Sequence, residues 1–236
     1  MLNCYYMDIE CGCSYEQAEK LRKILPTERL EKLDRFCNEK KAEKYLLSSA
    51  FLQYVLSDTL GILPQEISYT YTYGECGKPE LLYKENYKGK KIDFNLSHSG
   101  KYAVLAVGDK PVGIDVERVK KDRIAVAKRF FCEEEYEEIL NTPESMRDSL
   151  FLEYWTMKEA YVKRTGKGLY TPLDSFKINR EKEGISSVNQ EEVYFATFFL
   201  EESYCVSVCS EKKEELRRIS TETMKEIRLE FIERQL

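Results

Sequence analysis

Three short segments of the chain carry residue types and spacings suited to chemistry on phosphates. In Gly113-Ile114-Asp115-Val116-Glu117 two acidic residues stand two positions apart. On a strand, such residues share a face, so both carboxylates would project together while Val116 points the other way. Carboxylates held close repel one another unless a cation lies between them. A hard ion such as Mg²⁺ takes one or two carboxylates and fills its remaining positions with water and phosphate oxygens. A strand with one hydrated face explains the same pattern. The second segment is Trp155-Thr156-Met157-Lys158-Glu159-Ala160-Tyr161-Val162-Lys163, near the end of a long helical pattern. Phe151, Trp155, Glu159 and Lys163 recur every four residues and lie along one side. Glu159 and Lys163 are either a surface ion pair worth ~0.3–0.5 kcal/mol, or part of a cluster. In the cluster Glu159 joins Asp115 and Glu117, and Lys158 and Lys163 add positive charge for phosphates. The third segment, Phe94-Asn95-Leu96-Ser97-His98-Ser99-Gly100, reads as a strand entering a turn. Hydroxyls, an imidazole and backbone N–H groups gathered in a turn can grip phosphate oxygens; an ordinary polar turn, with His98 bonded to a carbonyl, is the other reading.

These segments must be positioned by regular elements, and the pattern supplies them. Residues 3–10 read as a strand, and Ser14 caps a helix that Pro26 ends. A helix spans about Glu39 to Leu60, with Gly61 as its stop. Residues 67–73 alternate with period two, a half-buried strand, and 74–79 form a loop. Strands follow at 91–97 and 102–108, and Gly108-Asp109-Lys110-Pro111 connects tightly to another at 112–117. Helices are expected at 122–131 and 133–141, then from Pro143 in a first turn to about Thr165. Strands near 174–179, 192–200 and 203–210 precede a charged terminal helix. In the last strand Tyr204, Val206 and Val208 face one way and Cys205 and Cys209 the other, as packing residues. Strands and helices do not alternate regularly enough for a doubly wound sheet, so the class is α+β.

The 236 residues are 42% hydrophobic and 33% charged, enough to fill a core and remain soluble. No window approaches the ~20 apolar residues that cross a bilayer, and Asp8 and Glu10 interrupt what would be a signal peptide. The balance of 37 basic and 42 acidic side chains argues against nucleic acid as the main partner. The 8 cysteines include no Cys-x-x-Cys pair, and His98 is the lone histidine, so reduced cytoplasmic thiols are expected rather than a zinc site.

Taken in order, Ser-His-Ser-Gly, Gly-Ile-Asp-Val-Glu and Trp-Thr-Met-Lys-Glu-Ala resemble the motifs of the 4′-phosphopantetheinyl transferase superfamily, of the surfactin-synthetase-activating type. The resemblance runs from about Gly77 to Phe176 and takes in Gly77-Lys78-Pro79, Ala127-Lys128-Arg129-Phe130-Phe131 and Gly166-Lys167-Gly168-Leu169. It implies an α+β fold of two similar halves related by a pseudo-two-fold axis. Residues 1–109 would make the nucleotide-side contacts and 110–236 would carry the metal and catalytic motifs. The implied reaction moves phosphopantetheine from coenzyme A to a serine of an apo carrier protein and releases adenosine 3′,5′-bisphosphate. The implied form is a cytoplasmic, pseudo-dimeric monomer. Asp115, Glu117 and Glu159 would hold Mg²⁺, or Mn²⁺ in its place. Glu159 would take the serine proton, directly or through water, with Lys163 and Asp115 also catalytic. Lys163 and Lys158 would serve the pyrophosphate, Ser97 and His98 the nucleotide phosphates, and Lys78 and Pro79 the adenine. Arg29, Lys32 and Lys44 are the candidates for the 3′-phosphate.

Overall fold

The computed structural model describes residues 1–71, 77–82, 91–168, 171–180, 185–188 and 192–234. Strand β1 (Leu2–Asp8) leads into helices α1 (Tyr15–Arg22), α2 (Thr27–Asp34) and α3 (Glu39–Leu60). Short strands β2 (Tyr69–Tyr71) and β3 (Pro79–Leu81) precede the hairpin of β4 (Asp93–Ser99) and β5 (Tyr102–Gly108). The order then recurs: β6 (Val112–Arg118), helices α4 (Ile124–Phe130), α5 (Glu133–Asn141) and α6 (Glu144–Thr165), and short strands β7 (Ile178–Asn179) and β8 (Ile185–Val188). A second hairpin, β9 (Tyr194–Leu200) and β10 (Tyr204–Ser210), closes it, followed by α7 (Lys213–Leu216), β11 (Lys225–Glu226) and α8 (Leu229–Glu233). Strand order repeats as well, β1-β5-β4 in one sheet and β6-β10-β9 in the other. The fold is α+β, with two similar halves.

Local chemistry accounts for the element ends. Ser14 and Gln17 form a reciprocal capping box at α1, and Asn38 caps α3 by accepting from the Lys41 amide. Gly61, at φ +70, ends α3 in the left-handed region that glycine enters without strain. Helices cover the outer face of each sheet. The N-terminal layer buries Leu47, Phe51 and Leu56 against Met7, Phe94 and Leu105, and the C-terminal layer buries Tyr154, Met157 and Ala160 against Phe195 and Cys209. Between the sheets lies a third core, in which Val104 and Ala106 meet Ile114, Val116, Val206 and Val208.

The structure departs from the sequence expectations in four places. Residues 27–34 form a separate helix, because Pro26 sits at its N-cap as well as beyond α1. Ser97, His98 and Ser99 belong to β4 and not to a turn, so the two serines share one face and His98 takes the other. Residues 173–175 make a 3-10 turn, and strand β7 is confined to Ile178 and Asn179. The expected terminal helix is broken: β11 pairs with β1, and Ile232 of α8 packs into the N-terminal core. The last residues thus pack with the N-terminal half. The expectations for residues 72–76 and for Leu169 lie outside the described residues.

Two contacts position the site. The first joins edge strands β4 and β6, which belong to different sheets. Side chains of β4 accept from backbone amides of β6: Asp93 from Val112 at 2.7 Å, Asn95 from Ile114 at 2.9 Å, Ser97 from Val116 at 3.5 Å and Ser99 from Arg118 at 3.2 Å. Edge N–H groups that would otherwise invite another strand are thereby satisfied. The second contact lays α6 on β6 at Gly113, where a Cβ would fall 1.9 Å from the Ala160 carbonyl oxygen and 2.7 Å from the Arg164 nitrogen. Gly113→Ala is expected to push helix and strand apart and to cost at least the ~1–3 kcal/mol typical of overpacking, read by urea unfolding. Unchanged stability would mean that the two backbones are free to separate.

Candidate active site

Strand alternation turns Val112, Ile114 and Val116 into the inter-sheet core and Gly113, Asp115 and Glu117 toward α6. Facing them, α6 brings Ala160 against Gly113 and sets Glu159 and Lys163 beside the carboxylates. The Lys163 ammonium donates to Asp115 Oδ1 at 2.5 Å and to Ser97 Oγ at 2.8 Å, and the Ser97 hydroxyl donates to the same Asp115 oxygen at 2.8 Å. Ser99 donates to Glu117 Oε2 at 2.9 Å. The other Asp115 oxygen, Oδ2, is buried and accepts no hydrogen bond.

Burial, and after it the Asp115 carboxylate, raises the Glu159 pKa; Lys163 opposes the rise and Glu117 adds to it. Desolvation and two like charges outweigh the one ammonium there. At His98, desolvation and then the Lys163 charge push the pKa down.

Among the described residues no three histidine, cysteine, aspartate or glutamate side chains are spaced to hold a metal ion as they stand. Lys163 Nζ supplies positive charge at Asp115 instead. The donor set nevertheless fits a hard divalent cation: it is all carboxylate oxygen, and buried Asp115 Oδ2 lacks a partner.

The family model for the 4′-phosphopantetheinyl transferase superfamily matches residues 111–209, and one for the N-terminal part of 4′-phosphopantetheinyl transferases matches 13–110. The 4′-phosphopantetheinyl transferase Sfp of Bacillus subtilis (strain 168) is 30% identical over 214 residues, covering 89% of this chain and 92% of that protein. The chain belongs to the 4′-phosphopantetheinyl transferase superfamily. The 4′-phosphopantetheinyl transferase gsp of Aneurinibacillus migulanus is 35% identical over 188 residues, 78% of this chain and 75% of that one. A solved holo-[acyl-carrier-protein] synthase from Thermotoga maritima shares 20% identity at a TM-score of 0.36, over 42% of this chain and 61% of its own. The family models and the Bacillus relative make it an enzyme of the phosphopantetheinyl transferase family, and among its described residues no helix is long and apolar enough to cross a membrane.

Of the remaining site candidates in this transferase, Lys158 is a correction. Its side chain is 0% exposed, and its ammonium donates to the Leu173 and Phe176 carbonyls at 2.7 Å each and pairs with Glu135 at 2.9 Å. Three donors are all an ammonium has, so none remains for a phosphate. Adjacent helical residues point about 100° apart; with Glu159 in the cleft, Lys158 faces α5 and the 173–176 turn. Glu135 also accepts from the Ile178 amide at 2.8 Å, which ties that turn to α5.

Lys78 pairs with Asp93 and donates to the Val112 carbonyl, four residues along β4 from Ser97, with Pro79 opening β3 beside it. Lys44 binds Glu10 and the Gly100 carbonyl, and its charge is felt at His98. Arg29 is buried, bonded to the hydroxyls of Tyr69 and Ser49. Arg29 and Lys32 both lie over the Tyr45 ring, at 5.8 and 5.6 Å. Asn95 and Ser99 carry no individual role in the Phe94–Gly100 reading; period-two spacing from Ser97 along β4 is the signal that sets them on its face.

Lys158→Ala strands a buried carboxylate and is expected to cost about 3–5 kcal/mol by denaturant unfolding, while Lys158→Met combined with Glu135→Leu costs far less. Equal losses would show that the ion pair is not the cause. For Glu159 the folded pKa lies above the unfolded one, so its ionisation penalises the fold as pH rises between the two. Glu159→Gln removes that penalty. In EDTA the variant should melt higher than wild type at pH 8, with the gain fading to nothing as pH falls below the ordinary carboxylate range.

Proposed function

We propose that the chain transfers 4′-phosphopantetheine from coenzyme A to a serine hydroxyl of an apo carrier protein, in a Mg²⁺-dependent reaction that releases adenosine 3′,5′-bisphosphate. The observation that carries the reading is the meeting of Asp115, Glu117, Glu159 and Lys163 at the contact of α6 with β6, with one buried carboxylate oxygen unpartnered. Asp115, Glu117 and Glu159 would hold the ion, for which Mn²⁺ could substitute. Bound there, it would offset the repulsion between an acidic cleft and an anionic pyrophosphate and stabilise charge growing on the leaving phosphate.

The protein's own groups bind and orient the reactants. Lys163, now shared between Asp115 and Ser97, would turn to a pyrophosphate oxygen as a point charge. Ser97 and His98 would line the phosphates, Lys78 and Pro79 the adenine, and Lys44, Lys32 and Arg29 the 3′-phosphate. The carrier serine oxygen bonds to the phosphorus that bears pantetheine, and that phosphorus loses its bond to the bridging oxygen. The bisphosphate leaves with that oxygen, and the hydroxyl proton passes to the Glu159 carboxylate, directly or through water. A positioned base contributes ~10²–10⁴-fold.

Beside Glu117 runs a groove lined by Val126, Phe151, Leu152 and Trp155 and edged by Arg118, Lys120 and Arg123. Apolar and basic together, it supports docking of an acidic carrier despite the net charge of −5. Buried reduced thiols at Cys4 and Cys205 accord with a reducing cytoplasm, where the chain would act as a pseudo-dimeric monomer.

Incubation with coenzyme A, Mg²⁺ and a panel of apo carriers should add one phosphopantetheine to at least one carrier by intact mass; no adduct on any would refute the reading. Glu159→Gln should bind coenzyme A near-normally while transfer falls by about 10²–10⁴-fold. Asp115→Ala should abolish transfer, and normal turnover of that variant in EDTA would remove the metal from the scheme.

A further inference from the structure

Ser99 plays no part in the scheme above, yet its surroundings are as specific as those of Ser97. β4 presents the two serines on one face, and β6 presents Asp115 and Glu117 against them, each serine bonded to the carboxylate 18 residues later. Ser99 Oγ accepts the Arg118 amide at 3.2 Å and sends its single proton to Glu117 Oε2 at 2.9 Å. The serine is itself held from behind. Gly100, at φ +54, starts the β4–β5 turn, and a Cβ there would lie 2.6 Å from Tyr204 Oη, which accepts the Lys101 amide at 3.1 Å. Among the described residues Glu117 has no comparable anchor of its own. It is half-buried, with three rotatable bonds, and the exposed Lys120 ammonium stands 3.9 Å away.

We propose that Ser99 is a positioning residue, whose hydroxyl holds Glu117 in the orientation that completes the divalent-cation site. The inference rests on the proposed function, in which Glu117 is a ligand. Partners that orient a ligating group typically govern about 10–100-fold in metal affinity. Arg118 is exposed, so its amide finds water when the hydroxyl is removed, and the fold loses little. Weak effect on stability and strong effect on ion binding separate this role from a structural one.

The test is Mn²⁺ titration by electron paramagnetic resonance on the full chain with coenzyme A present, in wild type, Ser99→Ala, Ser99→Thr and Glu117→Gln, with thermal unfolding of each. Ser99→Ala should weaken Mn²⁺ binding at least about tenfold with an unchanged melting temperature, and Ser99→Thr, which keeps the hydroxyl, should restore it. Half-saturating Mg²⁺ for transfer should rise in Ser99→Ala while kcat at saturating Mg²⁺ and KM for coenzyme A hold. Wild-type affinity in Ser99→Ala beside a weakened Glu117→Gln overturns the role of Ser99 alone. So does a loss of affinity that merely follows a lowered melting temperature. Undiminished Mn²⁺ binding in Glu117→Gln overturns the ligand assignment, and the inference falls with it.

Discussion

At Gly113 the backbone of α6 lies directly on β6, closer than any side chain would permit. That approach sets one helical face against one strand face, so residues from positions 115–117 and 159–163 share a cleft. The energetic consequence is unfavourable: like charges gather in a partly desolvated place, and the Glu159 pKa rises in response. The protein offsets this with the Lys163 ammonium and with hydroxyls from the neighbouring strand. An acidic cleft of this kind is costly to keep.

The hydroxyls come from the other half of the molecule. Each half builds the same sheet order, and the two sheets meet at edge strands that do not pair through their backbones. Polar side chains of β4 stand in for the missing strand, and two of the four, Ser97 and Ser99, spend their protons on the carboxylates. The seam between the halves and the reactive cleft are thus one structure. Duplication of elements does not duplicate the chemistry, because the acidic pair comes from β6 and the serine pair from β4.

Long-range electrostatics also divides two lysines that look alike in sequence. Lys158 and Lys163 are both near Glu159, and both suit an anionic substrate. Burial commits Lys158 to Glu135 and two carbonyls, where it fastens the 173–176 turn under α6. Lys163, partly exposed at the last turn, keeps its charge in the cleft. The motif therefore contributes one lysine to architecture and one to the acidic cleft.

Taken alone, the sequence determined what is periodic or capped. Helix α3 runs from Glu39 to Leu60 and stops at Gly61 as its pattern requires, β6 and β10 alternate as read, and the acidic pair shares a face. It also pointed to the family, since the residue types and order of three segments are specific to it. Tertiary structure alone decided what covers each face: that Ser97 and Ser99 lie on a strand aimed at Asp115 and Glu117, that Lys158 turns inward, and that the C-terminal residues cross back to pair with β1. The physical reason is range. Backbone geometry and caps act within a few residues, whereas burial, desolvation and the direction of a hydroxyl proton depend on neighbours that the chain brings in from far along its length.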